Sequence, residues 1–165
     1  PRITFGPSSF TIDAIADTDN RRTLRLGGVG DGYGYDIQHA SVTITIDGVG
    51  SFDLLVPTRT YVIHGDGDAR VGFGMIGSIA PPDLFNGPMV SGLAGWDMTT
   101  SIAGEAAEGA RVFQWDAAQV RTTGGRLMLD FQSSAAWQFE AVVVPVPGAV
   151  CVLAAFGVVT ARRRR

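Results

Sequence analysis

The stretch Val42-Thr43-Ile44-Thr45-Ile46 alternates strictly between branched apolar side chains and threonine. Successive side chains of a β-strand point to opposite faces, so Val42, Ile44 and Ile46 share one face and the threonines share the other. An amphipathic helix would instead repeat its apolar positions every three or four residues. The stretch therefore predicts a strand with one buried and one solvent-facing side, which is typical of antiparallel sheets.

Glycine and aspartate divide the chain around this stretch into short strands. Asp47-Gly48-Val49-Gly50 precedes Ser51-Phe52-Asp53-Leu54, which predicts a hairpin with a short glycine-containing loop. Glycine accounts for 22 of the 165 residues, and 13 of the 16 acidic residues are aspartate, both of which favour turns over helices. The predicted strands are 3–5, 10–16, 23–26, 33–38, 41–47, 51–56, 60–64, 70–76, 96–102, 111–115, 126–131 and 136–144.

Short strands with turn signals about every 8–12 residues predict an all-β fold, namely an antiparallel β-sandwich of jelly-roll type. Residues 103–109 are rich in alanine and glutamate and are predicted as a short helical turn. Residues 80–95 follow no period and are predicted as a long loop. The sandwich domain is expected to span residues 1–143, which is enough chain for one sizeable core.

The charge of this domain excludes one class of partner. Residues 1–140 contain nine arginines, no lysine and 16 acidic residues, which gives a net charge of 9 − 16 = −7. A domain this acidic is not expected to bind nucleic acid. The only cysteine, Cys151, lies beyond the domain, so no intrachain disulfide forms.

Residues 144–165 differ in composition from everything before them. Val144-Pro145-Val146-Pro147 precedes an uncharged run, 148–161, and then Arg162, Arg163, Arg164 and Arg165. The prolines exclude regular helix at the start of this segment. The 14 residues of the uncharged run span about 21 Å as a helix, which is short for a hydrocarbon core of about 30 Å. The pattern predicts a short transmembrane helix whose arginines stay on the cytoplasmic side, with the preceding domain outside.

This order of Val144, Pro145 and Pro147, an apolar helix and an arginine cluster resembles the PEP-CTERM class of bacterial sorting signals in its Val-Pro-x-Pro form. Val146 stands where the name-giving motif has glutamate. The resemblance covers residues 144–165 and implies recognition by an exosortase-type membrane enzyme and cleavage near the prolines. It also implies a transient membrane anchor and delivery of the domain to the cell surface or extracellular matrix. The alternatives are an ordinary tail anchor and a buried helix that ends in arginines.

Export has a consequence at the other end of the chain. An exported protein needs an N-terminal leader, and the chain begins at Pro1 without one, so a leader is expected to have preceded it.

The sequence favours a structural or interaction role over catalysis. His39 and His64 are 25 residues apart and lie in no zinc-binding spacing. No Gly-x-Ser-x-Gly elbow occurs, and no Gly-x-Gly-x-x-Gly run opens a helix after a strand. The protein is therefore predicted to be an exported envelope or matrix protein that is not an enzyme.

The main alternative is a domain that resembles carbohydrate-binding modules and stacks sugar rings on exposed aromatic side chains, with an exopolysaccharide as the partner. Trp96 and Trp115 are the candidate ligand-binding residues, because Trp137 shares a strand face with Phe139 that is predicted to be core. Further aromatic candidates for this platform are Tyr33, Tyr35 and Tyr61.

Calcium is the only cofactor that the sequence suggests. Asp17, Asp19 and Asn20 form one acidic turn, and Asp66 and Asp68 form another, with the two-residue spacing that places two carboxylates on one side of a turn. Neither turn has the glutamate that completes an EF-hand loop. The same residue types also occur in ordinary hairpin loops for conformational reasons.

Overall fold

The computed structural model describes residues 4–25, 32–77, 82–115, 118 and 120–144. Within these ranges the chain is all-β and every strand pairing is antiparallel, which confirms the predicted class. No helix in the described ranges is long and apolar enough to cross a membrane. The predicted helix, 148–161, lies outside the described residues, as do Pro145, Pro147 and the arginines 162–165.

One large sheet contains nine of the eleven strands found in the described ranges. Its strand order is β1-β3-β5-β6-β7-β8-β11, with β2 and β4 also paired to β3, while β9 and β10 form a separate hairpin. The strands are β1 (Phe10–Ala16), β2 (Arg22–Arg25), β3 (Tyr33–Ile46), β4 (Gly50–Asp53), β5 (Thr58–His64), β6 (Ala69–Met75), β7 (Asp83–Asn86), β8 (Ile102–Val112), β9 (Arg121–Thr122), β10 (Gly125–Arg126) and β11 (Gln132–Ala141). Two short 3-10 turns cover Thr18–Asn20 and Ser91–Leu93.

The long strand β3 organises the sheet because its two halves have different neighbours. Its first half pairs with β2 and β5, and its second half pairs with β1 and β4. Ala16 pairs with His39 across a register shift. Near this point β2 and β5 stop pairing with β3, and β1 and β4 pair with it instead. The predicted strands 33–38 and 41–47 are therefore one strand, and the sheet curls at His39.

The curled sheet encloses its own core. Phe10 of β1 lies edge-on to Phe85 of β7 and to Trp115, with ring centroids 6.4 Å apart in both contacts. Strands from the two halves of the sheet therefore meet across one apolar interior. The burial of many aromatic and branched side chains there is the main favourable contribution to folding.

The alternating stretch behaves as predicted. Val42, Ile44 and Ile46 are buried in this core. The hydroxyl of Thr43 on the opposite face donates to Asp53 Oδ1 at 2.8 Å. The hairpin to β4 is also confirmed, because Ile46 pairs with Gly50 and a backbone hydrogen bond closes the turn between them.

Several local predictions are wrong, and residues 4–5 and 127–131 of the predicted strands 3–5 and 126–131 also lie outside the strands. Residues 103–109 belong to β8, since pairing with β11 outweighs the helix propensity of alanine and glutamate. Residues 96–101 form a turn instead of a strand, and Met98 there has a φ of 70°. The predicted loop 80–95 contains strand β7, whose Leu84 and Phe85 are buried.

Candidate interaction sites

The two tryptophans predicted to stack sugars are buried, so the prediction of Trp96 and Trp115 as an exposed platform is wrong. Only 5% of Trp96 and 1% of Trp115 is exposed. The Trp96 indole donates to the carbonyl of Thr100 at 2.8 Å and lies edge-on to Phe139. Both indoles contribute apolar area to the core, which is the commoner use of tryptophan in a β-domain.

Tyrosines form the exposed aromatic group instead. The ring of Tyr33 is 48% exposed and stacks on His64, with centroids 4.7 Å apart. Tyr35 meets both rings edge-on. The Arg21 guanidinium lies 4.7 Å from the centroid of Tyr35 and pairs with Asp97 at 2.9 Å. These five residues are called the tyrosine cluster below.

The tyrosine cluster combines an aromatic surface with polar groups at its border. A hydrogen bond from the Thr99 hydroxyl lowers the pKa of Asp97, and the charge of Arg21 acts in the same direction. Asp97 therefore remains a hydrogen-bond acceptor at neutral pH. His64 Nε2 is buried and has no hydrogen-bond partner among the described residues. A stacking face next to donors and acceptors is the combination that sugar rings require.

The aspartates of the calcium prediction lie in two turns. Asp17 Oδ1 accepts a hydrogen bond from the backbone of Asp19 at 3.0 Å and so caps the first 3-10 turn. Asp66 and Asp68 lie in the turn between β5 and β6, where Gly67 has a φ of 84°. No group of three or more His, Cys, Asp or Glu side chains suited to a metal occurs in the described part of the chain. Calcium binding at these turns stays a prediction.

A row of polar side chains crosses the face of the sheet that points away from the core. The strand register places Arg22, Asp36, Tyr61, Gly72, Asn86 and Arg111 opposite one another on six consecutive strands, from β2 to β8. A second row beside it contains Gln38, Arg59, Gly74 and Asp83. Arg70 lies two positions before Gly72 on β6 and so shares this face. The two rows and Arg70 are called the arginine face below.

Asp36 is the buried anion of the arginine face. Its side chain is fully buried and accepts from Arg22 Nε at 3.0 Å, from Arg22 Nη2 at 2.6 Å and from Arg59 Nη1 at 3.1 Å. The two bonds from Arg22 have the bidentate geometry of strong charge-assisted pairs. Burial of a carboxylate is tolerated only when it is paired in this way. Asp36 thus orders two arginines from different strands.

Tyr61 occupies a groove that Gly72 leaves open on β6. A Cβ atom at Gly72 would overlap the Tyr61 ring, so only glycine allows the ring to lie across this strand. The Tyr61 hydroxyl donates to Asn86 Oδ1. Burial, together with the negative charge of Asp83, raises the pKa of Tyr61, which keeps the phenol protonated. The Arg59 guanidinium lies 5.4 Å from the ring centroid.

An open cleft of about 930 Å³ lies between residues 4–8, the β3–β4 hairpin and residues 122–132. Apolar side chains that include Phe5, Val49, Phe52, Leu127 and Met128 form much of its lining. Its volume falls within the range of about 300–1,000 Å³ for small-molecule sites. This lining favours an apolar occupant.

His39 sits at the bend of the sheet and is held as a neutral ring. Its ring nitrogens lie 2.9 Å from the hydroxyls of Thr58 and Thr60, and it stacks on Phe73. Burial lowers the pKa of His39 to about 4 from an ordinary value of 6.5. Protonation of this ring therefore opposes folding.

Acid should destabilise the protein through His39. Between pH 6.5 and about 4 the unfolded chain binds a proton that the folded chain does not, so stability falls as the pH falls through this window. The loss is at most about 3–4 kcal/mol, and less to the extent that water reaches the ring, which is not fully buried. The measurement is the free energy of unfolding in urea at several pH values. His39→Gln should flatten this pH dependence, and an unchanged slope would contradict the assignment.

Comparison with protein-family models, curated proteins and solved structures gives no match.

Most residues of the arginine face were not singled out from the sequence. Arg59-x-Tyr61 and Arg70-x-Gly72-x-Gly74 each show the alternation that assigns their members to one strand face. That signal identifies a polar face within each strand. It does not reveal which strands are neighbours, so the rows appear only with the register.

Proposed function

We propose that the protein is an exported, non-catalytic component of the cell envelope or extracellular matrix, sorted by residues 144–165. The observation that carries the proposal is the order of proline motif, uncharged run and arginine cluster directly after the last strand of the sheet. Strand β11 ends at Ala141, and Pro145 follows four residues later. An exosortase-type enzyme is the proposed processing partner.

The packing at the end of β11 supports a separable tail. Ala141 is buried, whereas Val142 and Val144 are both 39% exposed. The last described contact is a hydrogen bond from the Val143 amide to Ser101 Oγ at 3.0 Å. Cleavage after this point would leave the core strands intact. We further propose that the curled sheet is a β-sandwich of jelly-roll type, since Phe10 meets Phe85 and Trp115 across the core.

Mass spectrometry of the exported protein tests the sorting proposal. In a bacterial host that processes such signals, the mature protein should end near Pro147 and be found outside the cell. A C-terminus that is intact through Arg165 would replace the sorting proposal with a simple tail anchor.

A second candidate function is the binding of neutral glycans, and the exposed stack of Tyr33 on His64 favours it. A sugar ring would stack on the free side of Tyr33, and Asp97 and Arg21 would bind its hydroxyls. Tyr33 would then take the role that the buried Trp96 and Trp115 do not have.

Tyr33→Ala should weaken glycan binding by about tenfold or more, since stacking on one aromatic ring contributes about 1–3 kcal/mol in comparable base-stacking sites. The measurement is binding of the purified chain to an array of neutral oligosaccharides. Tyr33→Phe is the matched control, because it retains the stacking ring. Equal binding by the alanine variant would exclude the tyrosine cluster as the glycan site.

A further inference from the structure

The arginine face has a positive net charge, although the domain as a whole has a negative one. It contains four arginines, Arg22, Arg59, Arg70 and Arg111, and two aspartates, so its local charge is 4 − 2 = +2. Residues 1–140 as a whole carry 9 − 16 = −7. Four of the nine arginines of the domain thus lie on one face of one sheet.

Only part of this positive charge is neutralised internally. Asp36 pairs with Arg22 and Arg59, and Asp83 lies 4.0 Å from Arg59. Arg70 and Arg111 form no ion pair with any described residue. A guanidinium presents five N–H donors in a planar fork that suits carboxylates. Donors therefore remain for an external acceptor.

The shape of the face indicates an elongated ligand. Arg22 and Arg111 stand at the two ends of a row that crosses six strands. Five strand intervals correspond to about 24 Å. Arg70 lies between these ends, beside Gly72. A single small anion would meet one end of the row, whereas a linear polymer can contact its whole length.

Neutral and acidic groups between the arginines favour a polymer that is rich in hydroxyls over one that is densely charged. Asn86 and Gln38 offer amide groups, and the partly exposed carboxylate of Asp83 accepts hydroxyl donors. Asp83 would repel a densely charged backbone such as that of nucleic acid, and so would the net charge of the domain. A chain with many hydroxyls and widely spaced carboxylates carries less charge per unit length, so both repulsions are weaker for it.

We propose that the arginine face binds an acidic polysaccharide, with Arg70 and Arg111 pairing with its carboxylates and Asp83 and Asn86 with its hydroxyls. This inference rests on the proposed matrix role and names the ligand class for it. Asp36 has a positioning role, because it orients Arg22 and Arg59 without facing the ligand.

The test measures binding of the purified full chain to hyaluronan, which carries a carboxylate on every second sugar, by calorimetry at low ionic strength. Every variant also carries glutamine at positions 162–165, so that the terminal arginines contribute nothing. Arg70→Gln with Arg111→Gln should weaken binding by about tenfold or more, as expected for the loss of two charge-assisted pairs. Arg121→Gln with Arg126→Gln is the matched control, since it removes equal charge from two exposed arginines of the β9–β10 hairpin and should change binding less than about twofold.

Dextran, which lacks carboxylates, should not bind. The proposal is overturned if both double variants lose affinity equally, if hyaluronan does not bind, or if single-stranded DNA of similar length binds more tightly. If the first double variant fails to fold by circular dichroism, Arg111→Gln alone decides, because that side chain is exposed. The assay needs no export, so its failure leaves the sorting proposal standing, and uncut tails in cells would not affect this result.

Discussion

Replacing Gly72 by alanine is expected to destabilise the protein by about 3 kcal/mol, although only one methyl group is added. The new Cβ would overlap the ring of Tyr61. Tyr61 is only 2% exposed, and its hydroxyl donates to Asn86. The ring would have to leave the groove, losing its burial and leaving Asn86 without its partner. The cost approaches that of deleting a buried aromatic side chain, about 3–5 kcal/mol.

Urea unfolding of the variant and of a matched control measures this effect. Gly104→Ala is the control, because a Cβ there meets only the flexible end of Gln138 at 3.2 Å. It should change stability by less than about 0.5 kcal/mol. Adding Gly72→Ala to Tyr61→Ala should cost far less than Gly72→Ala alone, since the clash partner is gone. Additive effects of the two changes would show that Tyr61 does not lie across Gly72.

The local pattern predicted the strands better than it predicted the sheet. Alternation over residues 42–46 correctly assigned the buried face, because each side chain needs only the direction of its own strand. The joining of 33–38 and 41–47 into β3 was missed. A register shift where Ala16 pairs with His39 allows β3 to belong to both halves of the sheet. This pairing joins residues that are distant in sequence, so a local pattern does not reveal it.

The candidate sites depended on the same non-local information. The sequence around Trp96 and Trp115 does not distinguish a core indole from an exposed one. Both indoles are buried in the core. Tyr33 was considered as part of the aromatic platform, but its stacking on His64 requires the β3–β5 register. The arginine face likewise needs strands that are distant in sequence to become neighbours.

For the tail, residues 144–165, the sorting proposal depends on the sequence and not on the strand register. Its elements, 145–147, 148–161 and 162–165, lie outside the described residues. The proline motif and the arginine cluster nevertheless act through general physical rules. A proline interrupts a helix wherever it stands, and an arginine resists entry into hydrocarbon in any sequence.

The two ends of this tail should therefore fail in different ways when they are changed. Replacing Arg162, Arg163, Arg164 and Arg165 by glutamine removes four charges, each of which costs about 2.5–3.5 kcal/mol to place at the centre of a membrane. The uncharged run of about 21 Å is already short for the bilayer. Without the arginine charges nothing holds its C-terminal end on the cytoplasmic side, so the segment no longer stays in the membrane. The expected product is the full-length protein, released uncut into the medium.

Replacing Pro145 and Pro147 by alanine should give the opposite product. The helix can then extend upstream of residue 148, through 142–147, which lengthens the apolar span toward the about 20 residues that cross a bilayer. The segment around the cleavage site loses its extended shape, because a residue that precedes proline no longer avoids the helical region. We expect the uncut protein to accumulate in the membrane fraction of a host that processes such signals, while the wild type is cut and exported. Fractionation followed by mass spectrometry of the C-terminus separates these three products. Cleavage of the alanine variant at the wild-type rate would show that the proline motif has no part in processing.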